Sequence, residues 1–168
     1  WNTDTYEEIA TLIGHTDYVK CLTLLKNKLY SASQDRTIRI WNTETYQQIA
    51  TLEKHTEAVL CLCAQAHKNK LISASMDKTI RIWNTDTHEV VGTLRGHTDM
   101  VICLCAQAHE NKLYSGSKDN TIRIWNTETY EEIATLRGHI GTVRSLSFHE
   151  NKLYSGSYDN TIRIWNTE

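Results

Sequence analysis

The chain has 168 residues, of which 40% are hydrophobic, and a formal net charge of -2. That length suits one domain with a buried core, while the slight acidic excess argues against a nucleic-acid partner. No apolar run approaches the roughly 20 residues that span a bilayer. We therefore predict a folded domain with no nucleic-acid partner and no membrane partner.

A segment of seven residues, Thr-Ile-Arg-Ile-Trp-Asn-Thr, recurs without change at residues 37–43, 79–85, 121–127 and 161–167. Trp1 opens a partial fifth copy. A period of about 40 residues indicates one supersecondary unit repeated along the chain. Features shared by all four units are therefore expected to be architecture, and the positions that vary are candidates for function.

Each unit is predicted to contain four short strands. A polar turn after the Trp leads into an alternating segment such as residues 46–52. A nearly continuous apolar run follows, fullest at residues 59–66, which is typical of a strand buried on both faces. A Leu-Tyr-Ser strand and a tight turn at an Asp then lead into the repeated segment, whose Ile and Trp alternate with Thr and Arg. We therefore expect an all-β chain.

The five cysteines occupy equivalent places in the repeats: Cys21, Cys61 and Cys103 align with Ser145. Such a position favours a small side chain rather than a crosslink. Free thiols suit a reducing compartment, so we expect a cytoplasmic location. A metal site at Cys61 and Cys63 is the alternative, but packing is favoured, and we expect no metal and no cofactor.

A Gly-His pair, a Ser, an Asp and a Trp recur in that order, with Lys54 replacing the Gly before His55 in the second unit. This order resembles the WD-repeat family of β-propellers, although Asn follows each Trp here where that family has Asp. Asn can make the same turn-capping bonds. In that family each repeat supplies the last strand of one blade and the first three strands of the next.

The resemblance implies a β-propeller of four-stranded antiparallel blades over residues 1–168. The blades are expected at residues 18–52, 58–94, 100–136 and 142–165, with residues 6–12 as the closing strand of the last blade.

The resemblance also implies a buried hydrogen-bond tetrad in each blade. An indole donates, a hydroxyl donates and accepts, an imidazole relays and a carboxylate accepts, so the network is favourable only when it is complete. The expected tetrads are His15, Ser31, Asp35 and Trp41; His55, Ser73, Asp77 and Trp83; His97, Ser115, Asp119 and Trp125; and His139, Ser155, Asp159 and Trp165.

Ser, His and Asp are also the residues of a hydrolase triad. Here the trio occurs four times, no Gly-x-Ser-x-Gly segment presents a nucleophile, and a Trp is placed to bind each serine. We therefore interpret the trios as structural and expect no catalytic residue and no enzymatic activity.

Two further departures concern stability. Arg36 and Lys78 occupy a turn position where Gly or Asn is easier. If that turn requires a positive φ, each such residue costs about 1 kcal/mol. The first two blades would then be the weaker pair.

Variation between the units points to a partner-binding surface. Residues 110–128 and 150–168 differ only at Lys118 against Tyr158. In WD-repeat proteins this position, with two at the start of the innermost strand, faces the top opening of the ring, where partners dock. The resemblance therefore implies a partner-binding top face of Tyr18, Lys20, Gln34, Leu60, Met76, Met100, Ile102, Lys118, Arg144 and Tyr158. Aromatic, Met and Arg side chains are typical of interface cores; drift at exposed positions, or the filling of a narrow channel, is the alternative.

Three assemblies are compatible with four repeats. Two chains could close head to tail into an eight-blade ring, each giving residues 6–12 to the last blade of the other. The chain could be an excerpt of a longer protein, or it could close alone. We favour the homodimer, because a usual WD blade has too small a wedge angle to complete a circle in four.

The leading functional hypothesis is a non-catalytic scaffold that binds a peptide or protein segment on the top face. The alternatives are an engineered or amplified propeller-assembly protein without a selected ligand, and a carbohydrate-binding propeller.

Overall fold

The computed structural model describes residues 5–107 and 110–167, which form four antiparallel sheets. Blade one contains β1 (Val19–Leu25), β2 (Lys28–Ser33), β3 (Ile38–Asn42) and β4 (Gln48–Leu52). Blade two contains β5 (Val59–Gln65), β6 (Lys70–Ser75), β7 (Thr79–Asn84) and β8 (Val90–Arg95). Blade three contains β9 (Val101–Ala106), β10 (Lys112–Ser117), β11 (Ile122–Asn126) and β12 (Glu132–Leu136). Blade four contains β13 (Val143–His149), β14 (Lys152–Ser157) and β15 (Ile162–Asn166).

Within each blade the strands pair in chain order, so every blade is a meander. A 3-10 turn at Ala66–Lys68 follows β5. Among the described residues, no helix has the length and apolar character needed to cross a membrane. The all-β prediction is confirmed.

The turn before each repeated strand is capped by its Asp. Asp35 Oδ1 accepts the Thr37 backbone N–H at 2.9 Å and the Thr37 hydroxyl at 2.7 Å. Arg36, between them, has a φ of 71°. The equivalent residues also have positive φ: 67° at Lys78, 67° at Asn120 and 64° at Asn160. The turn therefore requires the left-handed conformation, which is strained for Arg and Lys and easier for Asn.

The turn after each repeated strand is capped by the Asn that follows Trp. Asn42 Oδ1 accepts the backbone N–H groups of Glu44 and Thr45, both at 2.8 Å. Asn84 and Asn126 cap their turns in the same way. Asn therefore replaces the family's Asp without loss of the cap.

The core lies between neighbouring blades. We call the sheet face turned toward the preceding blade the leading face and the opposite one the trailing face. Tyr30 and Ile40 on the trailing face of blade one pack with Val59 and Leu62 on the leading face of blade two. Two similar clusters join blade two to blade three and blade three to blade four. The innermost strands pack in the same sequence, β1 on β5, β5 on β9 and β9 on β13.

The single chain is an open arc, because within its described part β13 and β1 lack the packing that joins the other innermost strands. Blade four has three strands, and residues 6–12 form no strand. Within one chain, residues 6–12 therefore do not pair with blade four and the ring is not closed, and their role as closing strand between two chains stays a prediction. The physical reason is position: the segment lies beside blade one, where Leu12 lines a cavity with Leu22 and Trp41. The partial repeat at Trp1 lies outside the described residues.

Candidate interaction surface

Each blade contains a complete hydrogen-bond tetrad. In blade three, Trp125 Nε1 donates to Ser115 Oγ at 2.8 Å, and Ser115 Oγ lies 2.8 Å from His97 Nε2. His97 Nδ1 lies 2.8 Å from Asp119 Oδ2. In the other blades the same atoms lie 2.7 or 2.8 Å apart, in the sets His15, Ser31, Asp35 and Trp41; His55, Ser73, Asp77 and Trp83; and His139, Ser155, Asp159 and Trp165.

The direction of these bonds follows from the two ends of the network. An indole can only donate and a carboxylate can only accept. The serine therefore accepts from Trp and donates to Nε2, while Nδ1–H donates to the carboxylate. All four serines are buried. A buried hydroxyl already engaged on both sides is not available to attack a substrate.

The carboxylates are held in their ionised form. Burial raises the pKa of Asp119, but hydrogen bonds from His97 and Thr121 outweigh it and leave the pKa below its usual range. The pKa values of Asp35 and Asp77 are lowered against burial in the same way. For Asp159 the largest cause of the lowered pKa is the Thr161 hydrogen bond. The tetrads are thus charged structural networks.

The residues of the predicted top face have different exposures. Tyr18, Lys20, Gln34, Lys118, Arg144 and Tyr158 are exposed, whereas Leu60, Met76, Met100 and Ile102 are half-buried. The exposed members belong to blades one, three and four, and the apolar members to blades two and three. The apolar members of the predicted face are therefore confined to the two middle blades, which also carry the exposed Lys118.

The structure brings four of these residues together. Lys20, Leu60, Ile102 and Arg144 line one cavity of about 260 Å³. Each is the second residue of the innermost strand of its blade, so the cavity lies along the inner side of the arc.

The two cations of this cavity each stand over a tyrosine. Lys20 Nζ is 5.0 Å from the ring centroid of Tyr18, and Arg144 Cζ is 5.2 Å from that of Tyr158. Both distances are within the range of cation–π attraction. Blades one and four therefore carry matching cation–tyrosine pairs.

The cysteines lie between blades, where they pack. All five are free, and Cys103 Sγ lies 3.7 Å from the Val143 carbonyl oxygen of the next blade. Cys21 differs from the others, because its hydrogen bond with Cys61 lowers its pKa to about 6 despite partial burial. Burial raises the pKa of Cys63 to about 11. In the described part of the chain no three His, Cys, Asp or Glu side chains are placed to hold a metal ion together. The cytoplasmic location stays a prediction.

Two apolar end surfaces were not predicted from the sequence. Val19, Leu22 and Leu24 are exposed on the leading face of blade one, and Ile162 and Ile164 are exposed on the trailing face of blade four. The repeats themselves indicate these surfaces. In the three interior contacts the equivalent apolar positions pack against a neighbouring blade. The first and last blades of an open arc necessarily lack one neighbour.

Comparison with known families agrees with this architecture. The model of the family described as "WD domain, G-beta repeat" matches residues 6–42, 46–84, 88–126 and 130–166. These matches cover most of the chain, so the chain belongs to the WD-repeat family. Members of this family are typically protein-interaction scaffolds and are generally non-enzymatic.

Individual relatives cover different shares of the chain. An uncharacterised WD repeat-containing protein of Schizosaccharomyces pombe is 55% identical over 40 residues, which are 23% of this chain and 11% of that protein. The computationally designed Ika4 protein has a TM-score of 0.88 and 28% identity, covering 96% of this chain and 99% of that one. The structure of U3-55K has a TM-score of 0.87 and 27% identity, covering 92% of this chain and 50% of that one. The arc thus corresponds to nearly the whole of one solved propeller chain and to half of another.

Proposed function

We propose that this chain is a non-catalytic scaffold that binds a peptide or protein segment on its top face. The observation that carries the proposal is the position of the variation. Residues 110–128 and 150–168 differ only at Lys118 against Tyr158, and both side chains are exposed. The frame around them is constant, so this difference serves contact with something outside the chain.

The chemistry of the top face supports a protein partner. Met76 and Met100 are half-buried, and Tyr18 and Tyr158 of the same predicted face are exposed. Flexible Met side chains adapt to a partner's shape, and Tyr supplies a large contact area with a polar tip. The residues that resemble a catalytic trio are all committed to buried tetrads, so the proposal includes no reaction.

The replacement Tyr158→Lys gives the sharpest test, because it converts this stretch of blade four into the stretch already present in blade three. Random linear peptides displayed on phage are selected on the purified protein and measured by fluorescence anisotropy. We expect affinity for the selected peptides to fall by about tenfold or more, the size of a typical interface hot spot, in Tyr158→Lys and in Met100→Lys. Ile133→Lys, on the exposed outer strand of blade three, is the matched control. Peptides that bind all variants equally would reject the assigned surface.

The same proposal includes an assembly, in which two chains close one ring head to tail. Val19 and Leu22 are 51% and 58% exposed on blade one, whereas their equivalents on blade two, Val59 and Leu62, are 0% and 6% exposed. An exposed patch of this kind marks an interaction site. The exposed side chains are of the same kind as those that blade two buries against blade one.

The two end surfaces complement each other. The contact between blades one and two joins Tyr30, Ala32, Ile38 and Ile40 to Val59, Leu62, Leu71 and Trp83. The corresponding trailing residues of blade four are Tyr154, Gly156, Ile162 and Ile164, and the corresponding leading residues of blade one are Val19, Leu22, Leu29 and Trp41. A second copy therefore supplies almost the same side chains that the interior contact already uses.

A second copy would also supply the fourth strand that blade four lacks. Residues 8–12 read Glu-Ile-Ala-Thr-Leu, the sequence of β12. Tyr6 has a φ of 58°, close to the 63° of Tyr130 before β12, and Thr11 donates to Glu8 as Thr135 donates to Glu132. The segment therefore already has the local geometry of an outer strand.

The register of β11 with β12 sets the expected pairing in the ring. Ile122 pairs with Leu136 and Ile124 with Ala134. By the same register, Ile162 would pair with Leu12 of the second copy and Ile164 with Ala10. The exposed edge of β15 would then be covered, which removes a site of uncontrolled strand pairing.

Opposite charges on the two end surfaces test this assembly. Leu22→Glu and Ile164→Lys each place an unpaired charge in a seam, so we expect either variant to sediment at the monomer mass of 19.4 kDa where the unmodified chain forms the dimer. The double variant Leu22→Glu/Ile164→Lys should recover the dimer, because the two charges meet in each seam. Ile133→Glu, on the outer strand β12, is the control that should leave the mass unchanged. Single variants that associate as the unmodified chain does would contradict the proposed seam.

A further inference from the structure

The cavity along the inner side of the arc has an unusual charge distribution. Its two middle blades contribute Leu60 and Ile102, and its two end blades contribute Lys20 and Arg144. The ion pairs among the described residues include neither Lys20 nor Arg144. Within the part of the chain that the structure describes, neither cation therefore has a carboxylate at ion-pair distance.

Ring closure changes what surrounds these cations. In the arc, Lys20 stands beside Leu60 because β1 packs on β5. In the proposed ring, Arg144 takes the place next to the partner's Lys20. Each seam then holds two positive charges and two tyrosines, Tyr158 and the partner's Tyr18.

Two carboxylates near this face, those of Asp17 and Asp99, already have other partners. Asp17 Oδ1 accepts the Tyr18 backbone N–H at 2.7 Å, and Asp99 lies 3.9 Å from Lys118 on blade three. Blade four has Gly141 where blades one and three have Asp17 and Asp99. Two adjacent cations repel each other unless an anion lies between them.

We propose that each seam of the closed ring binds the carboxylates of an acidic peptide segment, with residues from both copies. The inference rests on the proposed ring and names the chemistry of its partner. Arg and Lys supply charge-assisted hydrogen bonds to a carboxylate. Leu60, Met76, Met100 and Ile102 lie between the two seams and contact the apolar side chains of the same segment. A free inorganic anion would leave that apolar wall uncovered, which is why the occupant is a peptide.

The test uses the full chain and a fluorescein-labelled peptide in which Glu flanks Leu. Anisotropy measures its affinity at low salt and again at about 0.5 M salt, where exposed charge pairs are screened. We expect binding that weakens with salt, and no binding of the same peptide with Lys in place of Glu. The double variant Lys20→Leu/Arg144→Leu introduces at both positions the leucine that blade two has there. Because blade two already accommodates this residue, we expect the variant to fold. Its affinity should fall at least tenfold.

The control is Lys54→Leu/Arg137→Leu, which removes the same charge from exposed positions outside the cavity and should bind as the unmodified chain does. The mass of every protein is measured in parallel. An unmodified chain that is a dimer but binds the peptide no better than the Lys20→Leu/Arg144→Leu variant would overturn the seam site and leave the ring intact. A monomeric unmodified chain would overturn both. Equal binding of a peptide with Gly in place of Leu, or full competition by inorganic phosphate, would reject a peptide segment in favour of a small anion.

Discussion

The same seven residues lie in two different environments in this molecule. Ile80 and Ile82 of blade two are 0% exposed, whereas Ile162 and Ile164 of blade four are 77% and 63% exposed. Their local structure is nevertheless alike, since both strands pair with the strand before them in one register. The repeated segment therefore determines strand and turn, while burial depends on whether a neighbouring blade is present. The ends of the arc therefore expose positions that are buried in the contacts between neighbouring blades.

Replacing equivalent isoleucines gives the largest expected contrast. In a chain kept monomeric by Leu22→Glu, Ile80→Ala should lower the free energy of unfolding by about 3 kcal/mol, because it leaves a cavity in a packed core. Ile162→Ala in the same background should cost less than about 1 kcal/mol, because the side chain is already exposed. Urea unfolding followed by circular dichroism measures both. Equal losses would mean that the two environments do not differ as described.

Loss of a tetrad histidine, in contrast, should destabilise the chain equally in an interior blade and in an end blade. His97→Ala in blade three leaves a buried serine and a buried carboxylate without a partner, so we expect a loss of about 2–3 kcal/mol and a lower melting temperature. His139→Ala in blade four should cost about the same, because its tetrad is equally complete. Calorimetry compares the two. A hydrolytic activity that disappears in either variant while the melting temperature stays unchanged would contradict the structural role.

Acid should weaken both regions through the same carboxylates. The pKa of Asp119 is lower in the folded chain than in the unfolded chain, where the pKa of Asp is about 3.9. The stability that the carboxylate contributes is therefore present above about pH 4 and is lost as the pH falls toward the folded pKa. The midpoint of urea unfolding should drop between about pH 5 and pH 2.5, and less steeply in Asp119→Asn. An unchanged pH dependence in this variant would remove Asp119 as a cause.

The smallest effect concerns the strained turns of the first two blades. Arg36→Asn and Lys78→Asn install the residue that blades three and four use at the same positive φ, so each should stabilise the chain by about 0.5–1 kcal/mol. The reciprocal change Asn120→Lys should destabilise it by a similar amount. Urea unfolding again measures the difference. If neither the changes to Asn nor the reciprocal change to Lys shifts the midpoint of unfolding, φ strain does not distinguish the two halves of the arc.

Much of the fold could be predicted from the sequence, because repetition carries the information. All four units contain the Asp and Asn caps, the Trp and the alternation of Ile with Arg. These features act over a few residues, so local chemistry alone predicts the strands and turns. The tetrads could be named only through the family resemblance, since His97 and Ser115 are far apart along the chain and nothing in the spacing brings them together.

The position of residues 6–12 could not be predicted in the same way. Their sequence is that of an outer strand, but the strand they would join belongs to blade four at the other end of the arc. Whether a strand pairs depends on what lies beside it, and the sequence of one chain does not state how many chains meet. The cavity between Lys20 and Arg144 likewise follows only from the curvature of the arc.

The most direct test of the account is the mass of the unmodified chain in solution. Sedimentation equilibrium over a range of concentrations should give a species of twice 19.4 kDa, because two copies complete both open interfaces and leave none for a third. A mass of 19.4 kDa at every concentration, or growth into larger species without a limit at two, would contradict ring closure by two arcs.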